Sequence, residues 1–318
     1  MFSRTTRLQA FQPPSAACYI DGKCTLPQNV RSPCRMFITV MSLRTSTSSA
    51  SIASTSDSFS GSDSDGVDSL FDEPATVSIP VAMRRVPPIP GLFVPPIFIP
   101  PELAEQTSQE CMRLYFDGRD VNQIMLFGRT MTDTDGDEGE DIDARMGKGL
   151  PSILIHLLHQ LSALLRPWIP VDLHDHLFPS KGAPPRARQA ILNLYHPGEG
   201  ITPHVDLLNR FDDGIIGVSL CGSCVMSFEA VKGAVRDSEK RRQEATEKWD
   251  LYLPERSVLV MSKDARYHWK HGIPGRTHDL VKDEDENHGP YLIKRGIRLS
   301  VTFRWLLPGA DIVGEPEA

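Results

Sequence analysis

Residues 193–206 read Asn193-Leu194-Tyr195-His196-Pro197-Gly198-Glu199-Gly200-Ile201-Thr202-Pro203-His204-Val205-Asp206. An apolar run of period two ends at Tyr195, His196-Pro197-Gly198 supplies a turn, and extended chain resumes at Ile201. On a strand, residues i and i+2 point to one face. His204 and Asp206 can therefore aim an imidazole and a carboxylate at one point. Asn193 and Tyr195 form a second i, i+2 polar pair, in an apolar strand. An amide and a phenol facing inward suit a carboxylate ligand, and a core tyrosine with its hydroxyl at the rim is the alternative.

The same period continues outward. Short strands are predicted at Ala190–Tyr195, Ile201–Asp206, Ile215–Leu220, Cys224–Phe228, Leu251–Leu253, Ser257–Met261 and Arg298–Trp305, with turn formers such as Asp212-Asp213-Gly214 between them. Upstream the period is helical. Pro101-Glu102-Leu103 opens a helix to about Phe116. Ser152 caps an amphipathic helix bearing Leu154, Leu157, Leu158, Leu161 and Leu165, which Pro167 ends. Gln123–Phe127 is a short strand. Many short strands after helices imply an α+β domain: a double-stranded β-helix (jelly roll) backed by helices, with a disordered N-terminal tail.

The expected division is a Ser/Thr-rich tail over residues 1–85, a domain over 86–310 and a C-terminal tail over 311–318. Residues 45–70 are dominated by Ser and Thr and cannot bury enough apolar surface to offset ordering entropy. The tail is accordingly expected to be dispensable for the core reaction. Residues 1–44 carry Arg4, Arg7, Lys23, Arg31, Arg35 and Arg44 against the single acid Asp21, a composition compatible with mitochondrial targeting. Cytoplasm or nucleus is the other expectation. The acidic loop Thr130–Asp143 lacks the glycine and closing glutamate of a calcium loop, having Glu138 and Ala144 there, and reads as solvated. Lys232–Lys248 reads as an exposed insertion.

The whole chain has 318 residues, 40% of them hydrophobic, enough for one sizeable core. Its net charge of −7 argues against a broadly basic nucleic-acid coat but leaves room for a local basic groove. The six cysteines suggest no disulfide framework, and Cys221 and Cys224 form a lone C-x2-C pair better read as packing than as zinc ligands. No apolar run reaches the ~20 residues needed to span a bilayer, so no membrane partner is expected.

Two further segments carry chemistry. Tyr267-His268-Trp269-Lys270-His271-Gly272-Ile273 supplies candidates for a second histidine, with His268 and His271 on opposite faces of an extended strand. Two histidines and one carboxylate on one face of a metal leave three positions open, as in non-haem Fe(II) oxygenases. Arg298-Leu299-Ser300-Val301-Thr302-Phe303-Arg304-Trp305 alternates strictly, with Arg298, Ser300, Thr302 and Arg304 on one face. If that face lines the barrel, two confined guanidinium groups call for an anion such as a dicarboxylate. If it forms an edge, they lie in water.

Taken in order, Asn193-Leu194-Tyr195, His204-x-Asp206, the segment ending His271-Gly272-Ile273, and Arg298-x5-Arg304 resemble the AlkB-like family of Fe(II)/2-oxoglutarate-dependent dioxygenases. The run from Asn193 to Asp206 is especially similar to the AlkB-like domain of the animal tRNA wobble-uridine hydroxylase. So are Leu253–Met261 and Ala265-Arg266-Tyr267. The resemblance covers about residues 86–308. It implies that His204, Asp206 and His271 bind Fe(II), and that Asn193, Tyr195, Arg298 and Arg304 bind 2-oxoglutarate. It also implies that O2 is consumed as a C–H bond is hydroxylated or an N-methyl group removed. The implied partner is a nucleic acid, RNA favoured over DNA. A protein or small-molecule substrate, or a catalytically silent binding module, are the other readings. Bacterial repair members carry an acid two residues beyond the metal aspartate, and this sequence departs from them with Leu208.

Overall fold

The computed structural model describes residues 38–41, 79–130, 146–180, 182–231, 247–283 and 288–310. In chain order the elements begin with β1 (Ile38–Met41), β2 (Val81–Met83), β3 (Leu92–Phe93), α1 (Pro101–Cys111) and β4 (Gln123–Arg129). Next come α2 (Ser152–Leu165), α3 (Val171–Leu177), β5 (Ala187–Tyr195), β6 (Ile201–His204), β7 (Phe211–Cys221) and β8 (Cys224–Ala230). The last are β9 (Lys248–Leu253), β10 (Val258–Met261), α4 (Lys263–Tyr267), β11 (Trp269–Ile273), β12 (His278–Lys282), β13 (Tyr291–Lys294) and β14 (Arg298–Leu306). A π-helical turn, Met112–Phe116, extends α1.

The strands form two sheets, in the orders β1-β4-β5-β14-β7-β10-β3 and β13-β12-β2-β9-β8-β11-β6. The first is antiparallel throughout, and the second is antiparallel except where β2 runs parallel to both β12 and β9. Two sheets backed by helices are the architecture that the strand pattern implies.

Strand β14 decides the interior. It lies between β5 and β7, so Arg298–Trp305 is no edge. Its apolar face (Leu299, Val301 and Phe303) packs in one core with the α2 leucines Leu154, Leu157, Leu158, Leu161 and Leu165. All five leucines are fully buried. Each contributes roughly 1.5–3 kcal/mol of transfer free energy. Truncating one, as in Leu158→Ala, should cost ~2–5 kcal/mol because the cavity refills only partly. With this face turned to the helices, the polar face of β14 is forced between the sheets. A second core (Ile215, Leu259 and Met261 with Phe228, Leu251 and Leu253) joins the two sheets.

Two expectations need correction. Ser152 is the first helical residue of α2, not its cap: Pro151 holds that position and no side chain caps the helix. Proline preorganises the chain there and needs no hydroxyl. The boundary at residue 86 is also too late. β2 lies inside the second sheet, where Ala82 is fully buried beside Val225, Tyr252 and Val281. β1 pairs with β4 still further upstream. Three or four residues give too short a period to distinguish from coil, and pairing with distant strands is what orders them. The remainder of the proposed tail, most of the acidic loop, the stretch 232–246 and the C-terminal 311–318 lie outside the described residues. Among the described residues no helix is long and apolar enough to cross a membrane.

Candidate metal and dicarboxylate site

Antiparallel pairing of β6 with β11 places His204 directly opposite His271. Their ring centroids are 4.6 Å apart. Such proximity requires close backbones, and two glycines permit it. A Cβ on Gly272 would lie 2.8 Å from the Ile201 carbonyl oxygen, and one on Gly200 would lie 2.1 Å from that of Ile273. Asp206 follows β6 and is buried, with Oδ2 3.7 Å from His271 Nε2. Ligand atoms from His204, Asp206 and His271 all lie within 4.8 Å of one another, and among the described residues this is the one such cluster.

The protonation states suit a cation. His204 Nδ1 lies 2.9 Å from the Thr202 carbonyl oxygen, which can only accept, so Nδ1 carries a proton and Nε2 is the nitrogen placed to take a metal. Burial pushes His271 down to about 4, outweighing the attraction of Asp206, so the ring is neutral at pH 7. Asp206 Oδ1 pairs with Arg304 Nη1, leaving Oδ2 toward His271. His268 is not part of this cluster. It caps α4, is half-exposed, and its Nδ1 lies 3.2 Å from Asp264 Oδ1. A helical turn up to Tyr267 shortens the strand that the sequence suggested, so Trp269 and His271 share its inner face without Tyr267.

A cavity of about 430 Å3 adjoins the triad, lined among others by Asn193, Tyr195, Arg298, Ser300, Thr302 and Arg304. The register accounts for this grouping: Arg298 faces Tyr195 across the β14–β5 ladder, Ser300 faces Asn193, and Arg304 faces Gln189. Arg298 is 6% exposed. Its Nη1 donates to Ser300 Oγ at 2.8 Å and its Nη2 to Ser219 Oγ at 3.2 Å, while Nε has no partner. Among the described residues no carboxylate pairs with it, and a buried guanidinium with an unpaired donor is costly. An entering carboxylate would complete it, so the residues present fit a dicarboxylate. Tyr195 lies 5.6 Å below that guanidinium, measured to the ring centroid, and burial pushes its hydroxyl up to about 12, keeping it a donor. Asn193 Oδ1 accepts from Gln123 Nε2 at 2.7 Å, which turns its amide NH2 toward other acceptors.

Arg304 has a different setting from Arg298. Besides Asp206 it donates from Nε to Gln189 Oε1 at 2.8 Å, and its guanidinium lies 3.5 Å over the Phe211 ring. Burial lowers it to about 10, so it is still cationic at pH 7. It thus orients the metal-side carboxylate directly. Sequence reasoning did not assign Gln123, Gln189, Ser219 or Ser300. Ser300 and Gln189 could have been found, from their places in alternating strands beside Arg298 and Asn193, whereas Gln123 and Ser219 arrive through pairing. Cys221 and Cys224 are free thiols flanking the turn that carries the chain from the first sheet to the second, and they hold no metal cluster among the described residues.

Residues 102–304 match the 2OG-Fe(II) oxygenase superfamily. The chain is 31% identical over 204 residues to a protein of Arabidopsis thaliana titled alkylated DNA repair protein ALKBH8 homolog, spanning 62% of this chain and 54% of that one. It is 37% identical over 125 residues to tRNA (carboxymethyluridine(34)-5-O)-methyltransferase alkbh8 of Xenopus tropicalis, covering 36% of this chain and 18% of that one. It is 32% identical over 111 residues to N6-methyladenosine RNA demethylase ALKBH of Cryphonectria parasitica, covering 33% and 49% of the two chains. The match thus spans about half the length of the first and third of these relatives and less of the second. With a match over more than half of its length, and AlkB-type proteins among its relatives, this chain belongs to the 2OG-Fe(II) oxygenase superfamily.

Proposed function

We propose that this protein is an Fe(II)/2-oxoglutarate-dependent dioxygenase that hydroxylates or oxidatively demethylates a nucleic acid, RNA in preference to DNA. The observation that carries the enzyme class is the incomplete Arg298 guanidinium, buried in the cavity that also holds the His204–Asp206–His271 cluster. When bound, iron with 2-oxoglutarate and dioxygen supplies the oxidising chemistry, which releases succinate and CO2 and places oxygen on a substrate C–H bond.

The chain's own residues bind and orient. His204 offers Nε2, His271 its neutral imidazole and Asp206 Oδ2. Arg298 with Tyr195 receives one carboxylate of the co-substrate. Asn193 and Arg304 line its other approach, Arg304 also fixing Asp206. The apolar walls (Ile191, Ile215, Leu253 and Leu259) exclude water and strengthen these contacts.

Support for RNA comes from two of the relatives, named as a tRNA methyltransferase and an RNA demethylase, while the Arabidopsis relative is named for DNA repair. The net charge of −7 favours the second reading, a protein or small-molecule substrate. Incubation with cellular RNA, with and without 2-oxoglutarate, followed by mass spectrometry of nucleosides tests the proposal. A nucleoside that changes only with co-substrate, and not with Asp206→Ala, supports it. Succinate formation stimulated by protein extract but not by RNA would refute the nucleic-acid assignment.

A further inference from the structure

Arg266 is 2% exposed, and among the described residues it meets no carboxylate. Among the described residues it shares that lack with buried Arg188 and Arg298, and Arg295 shows the contrast. Arg295, also buried, spends Nε and Nη2 on the buried carboxylate of Asp279, each at 2.7 Å. Arg266 instead spends its donors on main-chain carbonyls of one short segment. Nη1 donates to the Asp206 oxygen at 3.0 Å. Nη2 donates to those of Leu207 at 3.3 Å and Phe211 at 3.0 Å, and Nε to that of Asp212 at 3.4 Å. The first of these carbonyls belongs to the carboxylate member of the metal cluster.

The segment it holds is a turn. Arg210 N and Phe211 N both donate to the Leu207 carbonyl, at 3.3 and 3.1 Å. Leu207 and Leu208 project outward, each more than half exposed, so little side-chain packing holds the turn in place. Side chains hold its ends, where Asp206 pairs with Arg304, Phe211 is buried and Asp212 pairs with Arg186, and between them its course is set by backbone bonds. The bracing is reciprocal: Asp213, next in sequence, accepts from Ser262 Oγ at 2.9 Å and from Lys263 N at 3.0 Å, fixing the start of the helix that carries Arg266. That helix runs directly into β11 and His271. One guanidinium thus ties the segment bearing Asp206 to the segment bearing His271.

We propose that Arg266 is a positioning residue for the metal centre, acting through Asp206. It sets the 206–212 turn before any metal arrives, so that Asp206 Oδ2 already faces the two imidazoles. A planar fork with five donors can serve four separated carbonyls, whereas a lysine ammonium has one nitrogen and cannot. The proposal rests on the metal reading above, and Co(II) serves as the probe for both.

Titrating the full chain with Co(II) and no co-substrate, followed by visible absorption, tests it. Failure of the wild type to bind Co(II) would defeat the metal reading itself. Given binding, Arg266→Lys is expected to weaken Co(II) affinity about 10–100-fold, the usual effect of losing a group that orients a ligand. In an Asp206→Ala background the same change should leave the residual affinity unaltered. No loss in either background, or equal loss in both, would overturn the proposal, since a merely structural residue would act regardless of Asp206. A measurement on the wild type decides the case if the variant does not fold. Amide hydrogen exchange at Arg210 and Phe211 should be protected in metal-free protein and unchanged by Co(II). Protection that appears only with metal would mean that the metal, not Arg266, orders the turn.

Discussion

Replacing Arg298 by methionine should separate co-substrate binding from metal binding and from stability. The side chain is 6% exposed, its Nε is unpaired, its Nη atoms donate to the hydroxyls of Ser300 and Ser219, and its guanidinium lies over the Tyr195 ring. Methionine keeps much of the apolar stem and deletes the charge. What the loaded protein loses is a charge-assisted hydrogen-bonded contact with one end of the dicarboxylate, typically ~1.5–3 kcal/mol. That corresponds to roughly tenfold to a hundredfold in affinity. The unloaded protein loses a desolvated cation with no anionic partner among the described residues, so its thermal midpoint should stay level or rise. Succinate formation as a function of 2-oxoglutarate gives the first quantity, and a Co(II) titration and thermal unfolding give the others. An unchanged 2-oxoglutarate titration would refute the argument, because it would mean that the cavity guanidinium never meets the co-substrate. A loss of metal affinity as large as the loss of co-substrate affinity would refute it too, since Arg298 contacts no member of the metal cluster.

His271→Ala should abolish metal binding and turnover, whereas His268→Ala, which removes an exposed side chain on Asp264, should change neither; metal titration of both variants checks this. A chain beginning at Ile79 loses only β1 at the outer edge of the first sheet and should still match the full chain in succinate formation, while one beginning at Val86 loses β2 as well and exposes the inner edges of β9 and β12. The shorter chain should lose ~2 kcal/mol or more, several degrees in thermal midpoint, and equal midpoints would show that β2 contributes nothing. The metal-free protein should also be acid-sensitive at His271. Its native value of about 4 lies below the ordinary 6.5, so between these pH values the unfolded chain binds a proton that the folded one refuses. Stability is then full above pH 6.5 and falls toward pH 4 by up to roughly 3 kcal/mol. The pH profile of wild type minus His271→Asn measures it, and a difference that does not vary with pH would count against a buried neutral ring.

Much of the site was legible before any coordinates, because strand period is a local property. The i, i+2 relation brings His204 to Asp206, and Asn193 to Tyr195, whatever the rest of the chain does. Alternation along Arg298–Trp305 puts both arginines on one face, and the helical period of Leu154, Leu157, Leu158, Leu161 and Leu165 marks the stripe that covers the other. What local pattern leaves open is which face looks inward. That was decided by pairing: β14 lies between β5 and β7, its apolar side is taken up by α2, and the arginines have only the cavity left. The choice between His268 and His271 was equally a tertiary matter. A helical turn at Lys263–Tyr267 delays the strand, and the approach of β6 at Gly272 selects the histidine that stands opposite His204. The guanidinium of Arg266 was invisible as a brace, since its acceptors are carbonyls that every residue carries and only the folded chain collects them in one place. Side-chain period is written into each segment alone, whereas register, the covered face and the company of a buried charge depend on contacts between residues far apart in the chain.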